Sequence, residues 1–222
     1  MREDKSTISI DRVHSDETEA LLSLYMDLFY DREPLTKCFG LGRNRMIEFA
    51  RSMYLSLPNN PLSRNLCWMA RDRFSGNKAV GFIVCDDPAV EGNPPVPVNL
   101  TDDEREKMSV LQALMEAVRK PGQDRIGSQA GICLHIAAIG VAPGYEGAGI
   151  ATSLLQTALA GATARGFAHA FSECTSIASR KCHEKSGFQM LHCIDVNEFA
   201  VNGAFPFEGS NLVISLLWKD LA

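Results

Sequence analysis

The chain has 222 residues, 45% of them hydrophobic and 22% charged, and a formal net charge of −5. Such a chain is expected to pack as one globular domain spanning residues 1–222, and no apolar run approaches transmembrane length. The acidic balance gives no electrostatic basis for binding nucleic acid or an anionic membrane, and it fits a cationic or amine-bearing small molecule.

Ser6–Val13 alternates as STISIDRV and reads as a first strand. Asp16–Tyr30 sets Ala20, Leu21, Leu24 and Leu28 at helical spacing, with Ser15 or Asp16 as the cap, and the pattern breaks at Pro34. Arg43–Leu57 predicts a second amphipathic helix closed by Pro58 and Pro61. Leu66–Arg73 and Lys78–Cys85 read as strands joined by the turn residues Phe74 to Asn77. An excursion over residues 86–130 follows. Its first part, Asp86–Asn99, holds Pro88, Pro94, Pro95 and Pro97 and is expected to be extended and unpaired. Its second part, Thr101–Lys120, opens with Thr101 and Glu104 at capping-box spacing and continues as a strong helix.

Gly131–Val141 is a dense apolar strand, expected to be central and buried on both faces. Gly149–Arg165 is a helix ended by Gly166, His169–Thr175 a strand, and Ser176–Lys185 a short helix closed by Gly187. Gln189–Phe199 and Asn211–Lys219 close the chain as an antiparallel pair. The order is mixed α/β, with no internal repeat.

The stretch Val141–Leu155, VAPGYEGAGIATSLL, carries the chemistry. A strand stops at a turn containing Gly144, Gly147 and Gly149, and a helix starts within it. Amides exposed at such a turn, together with the helix N-terminus, form an anion site. The spacing is G-x-x-G-x-G, the reverse of the dinucleotide fingerprint, and no lysine lies between Lys120 and Lys181, so a P-loop is excluded too. A short turn suited to one pyrophosphate remains.

The cysteines at 38, 67, 85, 133, 174, 182 and 193 make an odd count, and no apolar signal segment follows the MREDK start. Reduced thiols of a cytoplasmic protein are the expected state. Cys174, Cys182, His183, His192 and Cys193 form no C-x-x-C or H-x-x-x-H pair, so no metal is expected.

Glu146-Gly147-Ala148-Gly149-Ile150-Ala151 resembles the acetyl-CoA motif of the GNAT acyltransferase superfamily, R/Q-x-x-G-x-G/A, at every position but the first. About 35 residues downstream, His183-Glu184-Lys185-Ser186-Gly187-Phe188 is similar to that family's Y-E-K-x-G-F ending, with Ser176 and Ser179 in its asparagine and alanine places. The layout also resembles the insect arylalkylamine (dopamine-type) N-acetyltransferases, whose D-E-P-L element stands here as Arg32-Glu33-Pro34-Leu35.

This likeness implies the GNAT fold: a mixed central sheet of about seven strands with flanking helices, and a helical insertion before the central strand. It implies acetyl-CoA as co-substrate and a small arylalkylamine-like or polyamine acceptor, acetylated by direct attack in a ternary complex. The pyrophosphate would rest on Glu146, Gly147, Ala148, Gly149, Ile150, Ala151 and Thr152, with Ser176 nearby. The pantetheine arm would run along Ile139, Gly140 and Val141.

Acetyl transfer to an amine needs a base for the amine and, for the departing thiolate, an acid or hydrogen-bond donor. Glu33 matches the glutamate proposed as base in the insect enzymes. His135, in LHIAAIGV, resembles the first histidine of a strand in vertebrate serotonin-type N-acetyltransferases, and its ordinary pKa of about 6.5 suits proton relay. His183 takes the place of the acid tyrosine, and Ser179 and Thr175 the places of serines suggested to assist proton transfer. Against these stand ordinary structural roles: a solvated loop carboxylate, a satisfied strand histidine, a half-exposed helix residue and turn hydroxyls. Protein or peptide acetylation, and a module that binds acyl-CoA without catalysis, are the alternative functions. Monomer and homodimer both remain open.

Overall fold

The computed structural model describes residues 7–55, 60–91, 99–126 and 130–221. In chain order the elements are β1 (Ile8–Arg12), α1 (Thr18–Tyr25), α2 (Pro34–Phe39), α3 (Arg43–Leu55), β2 (Cys67–Asp72), β3 (Lys78–Asp86) and α4 (Pro88–Glu91). Then come α5 (Asp102–Arg119), β4 (Cys133–Val141), α6 (Ile150–Thr163), β5 (His169–Cys174), α7 (Ile177–Lys185), β6 (Gln189–Asp195) and β7 (Val213–Asp220). The strands form one seven-stranded sheet in the order β1-β2-β3-β4-β5-β7-β6. All neighbours are antiparallel except β4 and β5, which run parallel. Among the described residues no helix is long and apolar enough to cross a membrane.

Both faces of the sheet are covered. On one, the apolar stripe of α6, led by Leu154, Leu155 and Ala158, is buried with Trp68, Ile83 and Leu134. Each fully buried leucine there contributes about 1.5–3 kcal/mol. On the other face, Leu21, Leu22 and Tyr25 of α1 and Met46 and Ala50 of α3 cluster with Met69, Phe82 and Val84. The insertion helix α5 lies further along this face, where Leu114 and Val118 join Phe171, Ile214 and Leu216. Its capping box forms as expected: the Glu104 amide donates to Thr101 Oγ1 at 3.2 Å, and the Thr101 amide to Glu104 Oε2 at 2.8 Å.

Four expectations need correction. The helix read over Asp16–Tyr30 is three pieces: a 3-10 turn (Ser15–Glu17), α1, and a π-helical segment (Met26–Tyr30) whose wider turn shifts the register just before Arg32 and Glu33. The break at Pro34 is the first residue of α2, because a proline at that position loses no helical hydrogen bond. The stretch read as extended and unpaired is neither throughout: Asp86 pairs with His135, and Pro88–Glu91 is a helical turn started by Pro88, while residues 92–98 lie outside the described residues. The last strand pair is shorter than predicted, since β6 ends at Asp195 and Val196–Glu198 forms a 3-10 turn, capped by Asp195 through the Asn197 amide at 3.0 Å. Ser6, residues 56 and 57 of the second predicted helix, and Pro58 also lie outside the described residues.

Candidate active site

The parallel ladder between β4 and β5 is short. Cys133, Leu134 and His135 pair with His169, Ala170 and Phe171, and from Ile136 onward the two strands diverge. Two features hold the fork open. Across β3 and β4, Val84 pairs with Ala138 and Cys85 with Ile136, so Ala137 is an extra residue that bulges from β4. At the crotch, the Ser172 hydroxyl donates to the Ile136 carbonyl at 3.1 Å, in place of a ladder bond. A cleft of about 1560 Å³ runs through the fork. The central strand is therefore buried on both faces only in its first half; Ile139, Gly140 and Val141 are half-buried and line the cleft. Gly140 also accommodates the packing beneath it, since a Cβ there would stand 2.7 Å from a Phe82 ring carbon.

One end of the cleft is the glycine turn. Gly147 and Gly149 take φ of +74° and +81°, in the left-handed region that side-chain-bearing residues avoid. Gly149 is the N-cap of α6 and makes no side-chain cap bond, so the first-turn amides of a 14-residue helix face the cleft without a side-chain partner. Gly147, Gly149, Ile150, Ala151, Thr152 and Ser176 line the cleft, whereas Ala148 does not. Ser176 caps α7, its hydroxyl accepting from the Ser179 amide at 3.1 Å. Glu146 pairs with Arg32, which also donates to the Val141 carbonyl at 3.1 Å.

The other end holds Glu33. It is 8% exposed and caps α2, accepting from the Leu35 amide at 2.9 Å, from the Thr36 amide, and from the Thr36 hydroxyl at 2.6 Å. The sheet register assembles a second cluster beside it. Asp86, His135 and Phe171 stand in one row across β3, β4 and β5, and Glu173 lies two residues on along the same face of β5. His135 Nδ1 is 2.9 Å from Asp86 Oδ1, its Nε2 is 2.7 Å from Glu173 Oε2, and its ring stacks on Phe171 with centroids 4.6 Å apart. Arg119, the last residue of α5, donates its Nε hydrogen to the other oxygen of Glu173.

Burial pulls the His135 pKa down, but the carboxylates of Asp86 and Glu173 outweigh it and hold it up at about 10. For Glu173, burial pushes upward, and Arg119 and His135 overcome it to hold the carboxyl below its usual range. His135 is thus an imidazolium at neutral pH, with each nitrogen donating to a carboxylate. The expected proton relay at an ordinary histidine pKa does not fit this arrangement.

His183 turns inward. It is 0% exposed and does not line the cleft. Its Nδ1 donates to the Ser179 carbonyl at 2.9 Å, Nε2 is buried with no partner among the described residues, and burial lowers its pKa. The reading of a half-exposed helix residue is corrected, because Phe188 packs edge-on against the ring with centroids 4.9 Å apart. Ser179 does line the cleft, and its hydroxyl donates to Cys174 Sγ at 3.3 Å. Burial pushes the Cys174 thiol up to about 11, which keeps it from acting as a nucleophilic thiolate.

The structure therefore brings Glu33, His135, Ile139–Val141, the turn, Ser176 and Ser179 to one cleft and leaves Ala148 and His183 outside it. Sequence reasoning missed Asp86, Glu173 and Arg119, the bulge at Ala137 and the Ser172 bridge. The only local signals were charges beside apolar strands and the paired small residues Ala137 and Ala138.

A model of the acetyltransferase (GNAT) family matches residues 21–188. The chain belongs to the GNAT acetyltransferase family. No curated protein matches it by sequence. Among solved structures, the C-terminal condensation domain of Ebony in complex with beta-alanyl-dopamine superposes with a TM-score of 0.79 at 17% identity, covering 96% of this chain and 98% of that one. Mosquito arylalkylamine N-acetyltransferase like 5b gives 0.74 at 20% identity, covering 96% and 100%. The Drosophila melanogaster polyamine N-acetyltransferase gives 0.70 at 18% identity, covering 96% and 100%. At such identities the likeness is one of fold.

The GNAT fold uses acetyl-CoA, and the groups along this acetyltransferase's cleft fit it. The left-handed turn and uncapped helix N-terminus suit a pyrophosphate, and the half-buried fork between β4 and β5 suits an extended amide-bearing arm.

Proposed function

We propose that this chain transfers the acetyl group of acetyl-CoA to the amine of a small molecule by direct attack in a ternary complex. The observation that carries the reading is the single cleft joining the glycine turn, through the open fork, to the buried carboxylate of Glu33. The amides at 147–152 hold the pyrophosphate, and the backbone at Ile139–Val141 holds the pantetheine arm. The acceptor lies under α5 and the π-helical segment. Its nitrogen attacks the thioester carbon, the C–N bond forms, the C–S bond breaks, and CoA leaves as the thiolate. Glu33 takes the proton lost by the nitrogen.

Glu33 is preferred over His135 because the imidazole already holds its proton between two carboxylates. The Ser179 hydroxyl, on the cleft wall, serves the departing sulfur by turning its one hydrogen away from Cys174 Sγ; His183 positions the start of α7 through the Ser179 carbonyl. The structural likenesses support an arylalkylamine or polyamine as the kind of acceptor to try first. Incubation with acetyl-CoA and a panel of aryl-, poly- and amino-acid amines, followed by free thiol release, tests the reading. Turnover with one class is expected, and none across the panel would overturn it.

A further inference from the structure

The cluster at the crotch of the fork leaves one group with hydrogen-bond donors to offer. Arg119 gives its Nε hydrogen to Glu173, and its guanidinium carbon stands 5.7 Å from the centroid of the Phe171 ring. These two contacts from β5 fix the plane of the guanidinium. An arginine carries five N–H donors in a rigid fork, and among the described residues no hydrogen bond leaves Nη1 or Nη2. The Arg119 side chain is 35% exposed while Glu173 beneath it is 4% exposed, and Arg119 lines the cleft. The free edge of the fork therefore faces the space where an acceptor would sit.

The carboxylates around it are already engaged. Asp86 is bonded to His135, Glu173 to His135 and Arg119, and Glu33 to the start of α2. Within the cluster the imidazolium and the guanidinium balance the two buried carboxylates. A carboxylate brought by a ligand is met by two parallel N–H donors in bidentate geometry.

We infer that Arg119 is the specificity-determining residue for the acceptor, and that the acceptor is an amine bearing a carboxylate close to its amino group, as in an α- or β-amino acid. The inference rests on the transferase reading above and, on the chemistry of Arg119, puts an amino acid ahead of the arylalkylamines and polyamines as its acceptor. His135 is the last residue of β4 paired with β5, so the cluster sits at the point where these two strands part to admit the thioester arm. A carboxylate held there keeps an amine one or two carbons away beside the reacting carbon, whereas the remote carboxylate of a long-chain acceptor would not.

Matched pairs test this: phenylalanine against phenethylamine, and arginine against agmatine, with thiol release giving kcat and KM. The amino acid is expected to exceed its decarboxylated partner in kcat/KM by about tenfold or more, mostly through KM. Arg119→Gln is expected to bring that ratio close to one. Arg119→Lys keeps a cation against Glu173 but loses the fork, so it should retain the fold and lose most of the preference. A wild-type preference for the decarboxylated amines would overturn the inference. So would an equal loss on both members of a pair in the Lys variant, which would make Arg119 a structural or carbonyl-polarising group. Calorimetric titration of the same pairs into CoA-saturated wild-type protein reads the preference without turnover. Selective amino-acid binding with no acetylation would overturn the transferase reading alone, and equal binding of both partners would sink the carboxylate inference alone.

Discussion

Arg32 and Glu146 are ion-paired across the mouth of the cleft, and Arg32 also holds the Val141 carbonyl at 3.1 Å. Taken singly, each is a departure from the pattern of the enzymes this chain resembles: Arg32 stands where the D-E-P-L element has aspartate, and Glu146 where the phosphate turn has arginine or glutamine. Together they form a pair with the charges exchanged. The pair ties the residue before Glu33 to the glycine turn, so the two ends of the cleft share one contact.

Neutralising one member of the pair should move cofactor affinity in a direction set by which charge is left. Glu146→Gln leaves the Arg32 guanidinium uncompensated beside the turn, and acetyl-CoA binding should tighten by about 2- to 5-fold, less at high salt. Arg32→Gln leaves the carboxylate instead and should weaken binding by a similar factor, with the double variant near wild type. Both side chains are substantially exposed, at 40% and 54%, so stability should change by less than about 1 kcal/mol in every case. Calorimetry at two ionic strengths measures the affinities. A weaker affinity in Glu146→Gln would mean that holding the loop outweighs the charge.

The cluster around His135 sets a pH dependence of stability. Its folded pKa of about 10 lies above the ordinary histidine value of about 6.5. The folded protein therefore keeps a proton that the unfolded chain releases. The stabilisation is complete below about pH 6.5, shrinks as pH rises, and is gone above about pH 10. Glu173 works in the opposite sense: its folded pKa is depressed, so its contribution is full above the usual carboxylate range and is lost in acid. Tm should therefore plateau at mildly acidic pH and fall toward pH 10, and His135→Gln should flatten the alkaline arm. An imidazole resonance of His135 that titrates between pH 6 and 8 would contradict the arrangement.

What was legible in the sequence was what depends on local backbone demands. Gly147 and Gly149 announce a left-handed turn because few other residues tolerate their φ, and Thr101 with Glu104 announces a helix start for the same local reason. The cluster was not legible, because its members come together through register. Asp86 is 49 residues from His135, and Glu173 is 38. Only the bulge at Ala137 and the three-residue β4–β5 ladder determine that Asp86, His135 and Phe171 share a row. His183 shows the converse. A motif gives its position on a helix, but which way the ring turns follows from Phe188 and the Ser179 carbonyl.

Glu33→Gln separates chemistry from capping. The amide can still accept through its one oxygen but turns its NH2 toward the donor that the other carboxylate oxygen served, so the helix start should lose about 1–2 kcal/mol. As a base it is lost, and kcat should fall by about 10²- to 10⁴-fold, with the remaining rate rising with pH as more of the acceptor amine is neutral. Thr36→Val serves as the control, since it removes the hydroxyl that donates to Glu33 at 2.6 Å without touching the carboxylate. A Glu33→Gln enzyme with unchanged kcat would leave the carboxylate only its capping role.

Thiol reactivity reads the burial of the core directly. Burial pushes Cys174 to about 11 and Cys133 to about 12, and it raises Cys85 as well, whereas Cys38 and Cys193 are exposed. In the native protein at pH 8, Cys38 and Cys193 should react first with a disulfide reagent. The four buried thiols should respond only on unfolding. Fast labelling of Cys174 in the folded enzyme, mapped by mass spectrometry, would contradict its burial and leave it free to act as a nucleophile.

Gly149→Ala probes the turn itself. A Cβ there meets nothing within 4 Å among the described residues, so no packing clash is expected, but the residue sits at φ +81°, where an L side chain costs about 1–2 kcal/mol. The added methyl projects from the N-cap of α6 at the cleft. If the pyrophosphate rests on the amides of this turn, the methyl fills the space of close approach. Acetyl-CoA affinity should then fall by about tenfold or more, beyond anything the strain alone would cause, while Tm drops only a few degrees. Gly140→Ala makes the contrasting variant. Its Cβ would stand 2.7 Å from Phe82 and 3.0 Å from Leu28, so it should lose stability by about 1–3 kcal/mol through overpacking. Calorimetry and thermal unfolding on both variants distinguish the two sites, and a Gly149→Ala protein that binds acetyl-CoA as tightly as wild type would move the pyrophosphate off this turn.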